Sequence, residues 1–175
     1  GGKAQLYEGG LRVPLLMRWP GTIAAGTTSH ALTSSPDFFP TLLEVSGVRI
    51  PDDEPRDGVS LLPIMRGETA RSERPLVWHY PHYHTAGVHG PASAIRLGDW
   101  KLIHHYEHAL TEQGAADELF NLREDPSESR NLTAEEPTRT AELLAVLQQY
   151  LSDADAQVPT VNADFDATRA THLNR

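Results

Sequence analysis

A lysine set beside paired glycines opens the chain. Gly1-Gly2-Lys3-Ala4-Gln5-Leu6 runs into Tyr7-Glu8-Gly9-Gly10-Leu11-Arg12-Val13-Pro14. Small neighbours let backbone and ammonium approach a ligand closely, which suits a sulfate or phosphate oxygen. The same lysine also fits a solvated charge on a terminal segment, and the residues alone leave both readings open. Glu8 and Arg12, four positions apart, are read as a pair that pins the Gly-Gly turn, a structural role. A second group is the histidine cluster His79, His82, His84 and His89, interleaved with Tyr80, Pro81 and Tyr83 and followed by His104, His105 and His108. Imidazoles on a Pro-containing loop can converge on an anion, a sugar or a metal, or simply stand on a polar surface. No H-E-x-x-H or Cys/His spacing is present, so the zinc templates fail. The Gly-x-Ser-x-Gly elbow, the Walker loop and the dinucleotide glycine fingerprint are missing too. Asn131-Leu132-Thr133 matches a glycosylation sequon, a triplet common by chance.

The elements that must position these groups follow from pattern. Val13, Leu15, Leu16, Met17 and Trp19 form an apolar run closed by Pro20-Gly21, which predicts a buried strand of a parallel sheet. Ser35, as N-cap before Pro36, starts a helix carrying Phe38, Phe39, Leu42, Leu43 and Val45 and ended by Gly47. Leu61 to Met65 is a short apolar turn stopped by Gly67. From about residue 74 the pattern becomes strand-like: Leu76–Tyr80, then Ser93–Leu97 and Trp100–Tyr106 around a Gly98-Asp99 hairpin loop, then Glu118–Leu122. Pro137–Ser152 is an amphipathic helix with Leu143, Leu144, Leu147, Tyr150 and Leu151 on one stripe. The predicted organisation is an α/β remnant over residues 1–70, an antiparallel-sheet subdomain with a long helix over 71–160, and a polar tail over 161–175.

Composition bounds the function. The 175 residues carry a net charge of −9 without any Lys/Arg-rich run, which argues against nucleic acid as the main partner. No apolar run is long enough to cross a membrane as a helix. The sequence has no cysteine, hence no disulfide, thiolate metal site or cysteine nucleophile.

Gly2-Lys3-x-x-x-Tyr7-Glu8-Gly9-Gly10-x-Arg12-Val13-Pro14, with Arg18-Trp19-Pro20-Gly21 behind it, resembles the lysine segment of the sulfatases, the formylglycine-dependent arylsulfatase family. The likeness continues through Asp37-Phe38-Phe39-Pro40-Thr41-Leu42-Leu43, Asp57-Gly58-x-Ser60-Leu61-Leu62-Pro63 and Arg96-x-Gly98-Asp99-Trp100-Lys101-Leu102-Ile103. It ends with Glu118–Leu122 and Asp125-Pro126-x-Glu128-x-x-Asn131-Leu132, so it covers about residues 1 to 160. The resemblance implies the C-terminal part of an alkaline-phosphatase-like α/β fold, with a small four-stranded antiparallel sheet and a packed C-terminal helix. It implies hydrolysis of carbohydrate or aryl sulfate esters, with formylglycine and calcium serving the parent enzyme. Lys3 matches the family's sulfate-binding catalytic lysine, and His79, His82 and His84 fall where substrate contacts are expected.

The chain also departs from the family. The nucleophile arises from Cys/Ser-x-Pro-x-Arg, whereas Ser34-Ser35-Pro36-Asp37-Phe38 has phenylalanine in the arginine position. The family's metal-binding aspartates and Asp-Asn pair precede the lysine segment. The chain therefore corresponds to the C-terminal third of a sulfatase, is expected to be inactive alone, and has no residues of its own for calcium or formylglycine. Alternatives are a stand-alone module binding sulfated glycans or metal, and part of a related phosphonate or phosphodiester hydrolase. The apolar run at Leu15–Trp19 predicts self-association through an exposed sheet surface. The partner expected is a sulfated small molecule or glycan. The compartment is not legible, and a periplasmic or secreted bacterial parent is only what the family suggests.

Overall fold

The computed structural model describes residues 2–49, 57–68, 74–83, 90–112 and 114–164. In chain order the elements are α1 (Glu8–Leu11), a 3-10 turn (Ser35–Asp37), α2 (Phe38–Val45), α3 (Leu62–Met65), β1 (Leu76–Tyr80), β2 (Ala92–Leu97), β3 (Trp100–His105), α4 (Tyr106–Thr111), β4 (Asp117–Asn121) and α5 (Pro137–Asp153). They fall into two compact units, one of Gly1–Val13 with Pro75–Arg175 and the other of Pro14–Arg74. Residues up to Val13, grouped by sequence with the segment to residue 70, thus pack on the sheet.

In the sheet unit the four strands run antiparallel in the order β1-β2-β3-β4. The hairpin between β2 and β3 turns at Gly98, whose φ of +59° is the left-handed conformation that glycine adopts without a Cβ penalty. Strand alternation gives the sheet two dressed faces. On one face Ile95, Leu102 and Leu119 pack against Leu143, Leu147 and Leu151 of α5, with Val77 and Trp100 at the margin. Arg139 lies 5.2 Å over the Trp100 ring. Tyr150, predicted on the same stripe, is 41% exposed, while Leu143, Leu147 and Leu151 are buried. On the other face Ala92, Ala94, Ile103 and Phe120 pack under Leu6, Tyr7 and Trp78. A four-stranded antiparallel sheet with a long packed helix is the α/β subdomain architecture that the sequence predicts.

The second unit corrects two expectations. Residues 13–19 are not a strand: among the described residues no strand pairs with them, and Val13 and Leu16 are 75% and 89% exposed. Without a ladder partner an apolar run has no reason to extend as a strand. Only its closing turn forms, with Thr22 N and Ile23 N donating to Trp19 O around Gly21. The apolar run is therefore no sheet surface. In α2 the predicted stripe faces outward, leaving Phe39 and Leu42 exposed while Pro40 and Thr41 are buried. A polar hub explains this orientation. Asp37 is fully buried, accepts from Ser34 N at 2.7 Å and Val59 N at 2.9 Å, and takes both its carboxylate oxygens to Arg74. Ser34, not Ser35, is the N-cap of the 3-10 turn, in a capping box with Asp37. Thr41 Oγ1 donates to Asp37 O and accepts from Leu61 N. Gly58 fits against Pro36, where a Cβ would stand 2.2 Å from its carbonyl oxygen.

Candidate functional site

Lys3 occupies the corner of a tight turn. Gln5 N donates to Gly2 O at 3.2 Å, and the Gln5 side-chain oxygen accepts from Gly2 N at 2.6 Å. Ala4, at the third position, has φ +69°, the sign a type II turn requires there. Lys3 itself is exposed. The turn rests on α1 through Gly10: a Cβ on that residue would lie 2.1 Å from Gln5 O and 2.5 Å from Gly2 O. Only glycine permits that approach of backbone to backbone.

Two groups of side chains fasten this segment to the sheet. The Tyr7 hydroxyl donates to Glu118 Oε2 at 2.5 Å, and His105 Nε2 lies 2.9 Å from the same oxygen. The Tyr7 ring meets Phe120 edge-on at 6.2 Å. Burial, then the hydrogen bond and charge of Glu118, then the charge of Glu128, push the Tyr7 hydroxyl well above the ordinary tyrosine range. One residue on, Glu8 enters a four-charge cluster. Its Oε1 accepts from Lys101 Nζ at 3.2 Å, its Oε2 from Arg96 Nη1 at 3.3 Å, and its own backbone N donates to Glu128 Oε2 at 2.6 Å. Lys101 Nζ also donates to Glu128 Oε1 at 2.8 Å. Lys101 is completely buried. Glu8 thus pairs with Arg96 and Lys101, not with the exposed Arg12, because α1 turns its carboxylate toward the sheet. Glu128 has a left-handed backbone, φ +56°, within a loop folded around Asp125. The Asp125 carboxylate accepts from Ser127 Oγ, Ser129 N and Arg130 N, and these bonds hold it below the usual carboxylate range.

The described histidines do not converge on one point. His79 lies on the α5 face, with Nδ1 2.6 Å from Ser93 Oγ and Nε2 2.9 Å from Gln157 O. A carbonyl can only accept, so the Nε2 proton goes to Gln157 and Nδ1 accepts from the serine, whose oxygen lies 2.8 Å from the Tyr106 hydroxyl. Both ring nitrogens of His79 are thereby hydrogen-bonded within the fold. His82 is exposed and meets Tyr80 edge-on. His84 and His89 lie outside the described residues. His104 bonds Asp117, His105 bonds Glu118, and His108 Nδ1 lies 2.9 Å from Ala115 O. Asn131 spends its side chain on Leu119 N, Thr133 N and Asp117 O, so the sequon asparagine anchors a loop to β4.

Beside the lysine turn lies a cleft of about 310 Å³, walled by Gln5, Leu6, Leu11, Tyr80, Ile103 and His105. Among the described residues no group of three or more His, Asp or Glu side chains could hold a metal ion. With no cysteine in the sequence and Ser34 used as a helix cap, the described residues do not fit formylglycine, and none of them forms a group suited to calcium. No chemical step through either group is assigned to this chain.

Lys3 stands out in the sequence, and the residues that fasten its turn do not. Lys101, Glu118 and Glu128 fell inside matched segments without standing out. The available signal was a single lysine inside the apolar strand Trp100–Ile103, a charge that the strand could bury only with partners.

Proteins similar to this chain in sequence and in fold are sulfatases. Human arylsulfatase A is 34% identical over 165 residues, covering 85% of this chain and 31% of the relative. The N-acetylglucosamine-6-O-sulfatase of Bacteroides thetaiotaomicron is 34% identical over 155 residues, covering 84% and 26%. A structure solved with its substrate D-glucosamine-2-N,6-O-disulfate superposes with a TM-score of 0.61 at 31% identity, covering 79% of this chain and 28% of that one. Residues 2–157 match the family described as N-sulphoglucosamine sulphohydrolase, C-terminal, and the chain belongs to this family. It spans about a third or less of the relatives it matches.

Proposed function

We propose that this chain forms the C-terminal portion of a sulfate ester hydrolase acting on carbohydrate or aryl sulfates. In this role Lys3 binds a sulfate oxygen and offsets the charge that develops as the ester bond breaks. The observation that carries the reading is the exposed Lys3 at the corner of a turn whose backbone is fixed on both sides, by Gln5 and by Gly10. A long, flexible ammonium needs such a base to act at a defined point. The neighbouring cleft, with Tyr80 and His105 in its wall, would face the remainder of the ester, and His82 would stand on the loop that leaves β1. His79 would hold the base of that loop through Gln157. The attack on sulfur needs groups that these residues do not supply, so the 175-residue chain alone should be inactive.

The test is Lys3→Ala in the polypeptide that carries this segment together with the remaining length of its relatives. Loss of one charge-stabilising donor should lower kcat/KM for 4-nitrophenyl sulfate by about 10²- to 10³-fold. An unchanged kcat/KM, or turnover by the 175-residue chain alone, would overturn the reading.

A further inference from the structure

The buried charge cluster under α1 has no part in the chemistry assigned above. Lys101 is its centre: completely buried on β3, it is the one cation among the described residues that reaches both Glu8 and Glu128. Arg96 pairs with Glu8, also donates to Gly98 O, and is partly exposed. Both carboxylates act on the same residue of the lysine segment, one as the Glu8 side chain and the other through the Glu8 backbone N. Without Lys101 these two carboxylates would repel, and Arg96 would be the one described cation left on the Glu8 carboxylate.

A displacement of α1 cannot stay local. Gly10 lies so close to Gln5 O and Gly2 O that the lysine turn follows the helix as one body. Burial does not make this cluster an economical source of stability, because apolar side chains of the same volume would do as well or better. What an ion cluster supplies and an apolar contact does not is a fixed direction and register, here the registry of α1 on β3.

Resting on the reading of Lys3 as the sulfate ligand, we infer that Lys101 is a positioning residue for Lys3. It acts through Glu8 and Glu128 and touches no substrate. The loop around Asp125 belongs to the same device, since it sets the left-handed Glu128 backbone that aims the carboxylate inward.

The experiment is a double-mutant cycle in the complete enzyme, read as kcat/KM for 4-nitrophenyl sulfate. Lys101→Met should lower it by about 10- to 100-fold when Lys3 is present, the effect expected of a displacement on the scale of an ångström. In the Lys3→Ala background it should lower it less than about twofold, because there is no lysine left to misplace. Glu8→Gln carries the same cycle should Lys101→Met fail to fold, since it keeps the side-chain shape and leaves Lys101 paired with Glu128. Equal losses in both backgrounds would show a general stability effect and overturn the inference, as would no loss in either. If Lys3→Ala alone leaves kcat/KM unchanged, the sulfate-ligand reading itself falls, whatever Lys101→Met does.

Discussion

Gly10→Ala isolates the link between fold and function. A methyl group at this position would stand 2.1 Å from Gln5 O, where ordinary contact begins at 3.4 Å, so the turn carrying Lys3 must retreat by about 1.3 Å. The opposing atoms are backbone on both sides, and no side chain can swing aside to absorb the change. Overpacking of this kind costs about 1–3 kcal/mol. A misplacement of about 1 Å at a charge-stabilising group costs about 10²-fold in rate. The expected result in the complete enzyme is therefore a modest stability loss together with a fall of about 10²-fold in kcat/KM for an aryl sulfate. Hydrogen exchange over residues 2–11 should accelerate while exchange in β2 and β3 is retained. A variant with full activity would refute the coupling of Gly10 to the lysine turn. So would one whose activity falls only in proportion to the folded fraction.

Other consequences follow from the same geometry. Asp37→Ala strips the Arg74 guanidinium of its carboxylate and leaves Ser34 N and Val59 N unpaired, so urea denaturation should show about 3–5 kcal/mol less stability; a loss below about 1 kcal/mol would contradict the assignment of Asp37 as the hub. Because the Tyr7 hydroxyl is raised in the folded state, its contribution to stability is complete below the tyrosine's ordinary value near 10 and falls as pH rises beyond it. Alkaline unfolding should thus be less steep for Tyr7→Phe, and identical curves would count against the Glu118 contact. The exposed apolar run from Val13 to Trp19 predicts concentration-dependent association of the 175-residue chain, weakened by Leu16→Ser. A single monomer boundary in sedimentation velocity at high concentration would oppose it.

How much of this was legible depended on whether local pattern or distant partners decided each element. Leu76–Tyr80, the Gly98-Asp99 hairpin and the α5 helix carry their own signals, in alternation, turn chemistry and a leucine stripe, and they formed within a residue or two of the predicted bounds. The run around Leu15 read equally clearly, but a strand is defined by its ladder, and no described strand pairs with it. At Phe38–Val45 the periodicity was real while the buried side was chosen by Asp37 and Thr41, polar residues whose distant partners are 20 to 37 positions away. The lysine turn was visible as a motif, and its fastening was not. Tyr7 finds Glu118 across 111 positions, and Glu8 finds Lys101 across 93. No window of sequence displays such pairs, and the histidines mislead for the same reason. Crowded along the chain, they separate onto the two sheet faces by alternation, with His79 and His104 on the α5 side and His105 on the other.

The central claim is that Lys3 binds sulfate, and a crystal structure of the complete enzyme with a bound sulfate ester tests it most directly. Lys3 Nζ should lie about 2.7–2.9 Å from a sulfate oxygen, with the Gly2–Gln5 turn and the Glu8–Lys101 contact intact. A sulfate group held by other cations while Lys3 points away from it would refute that role.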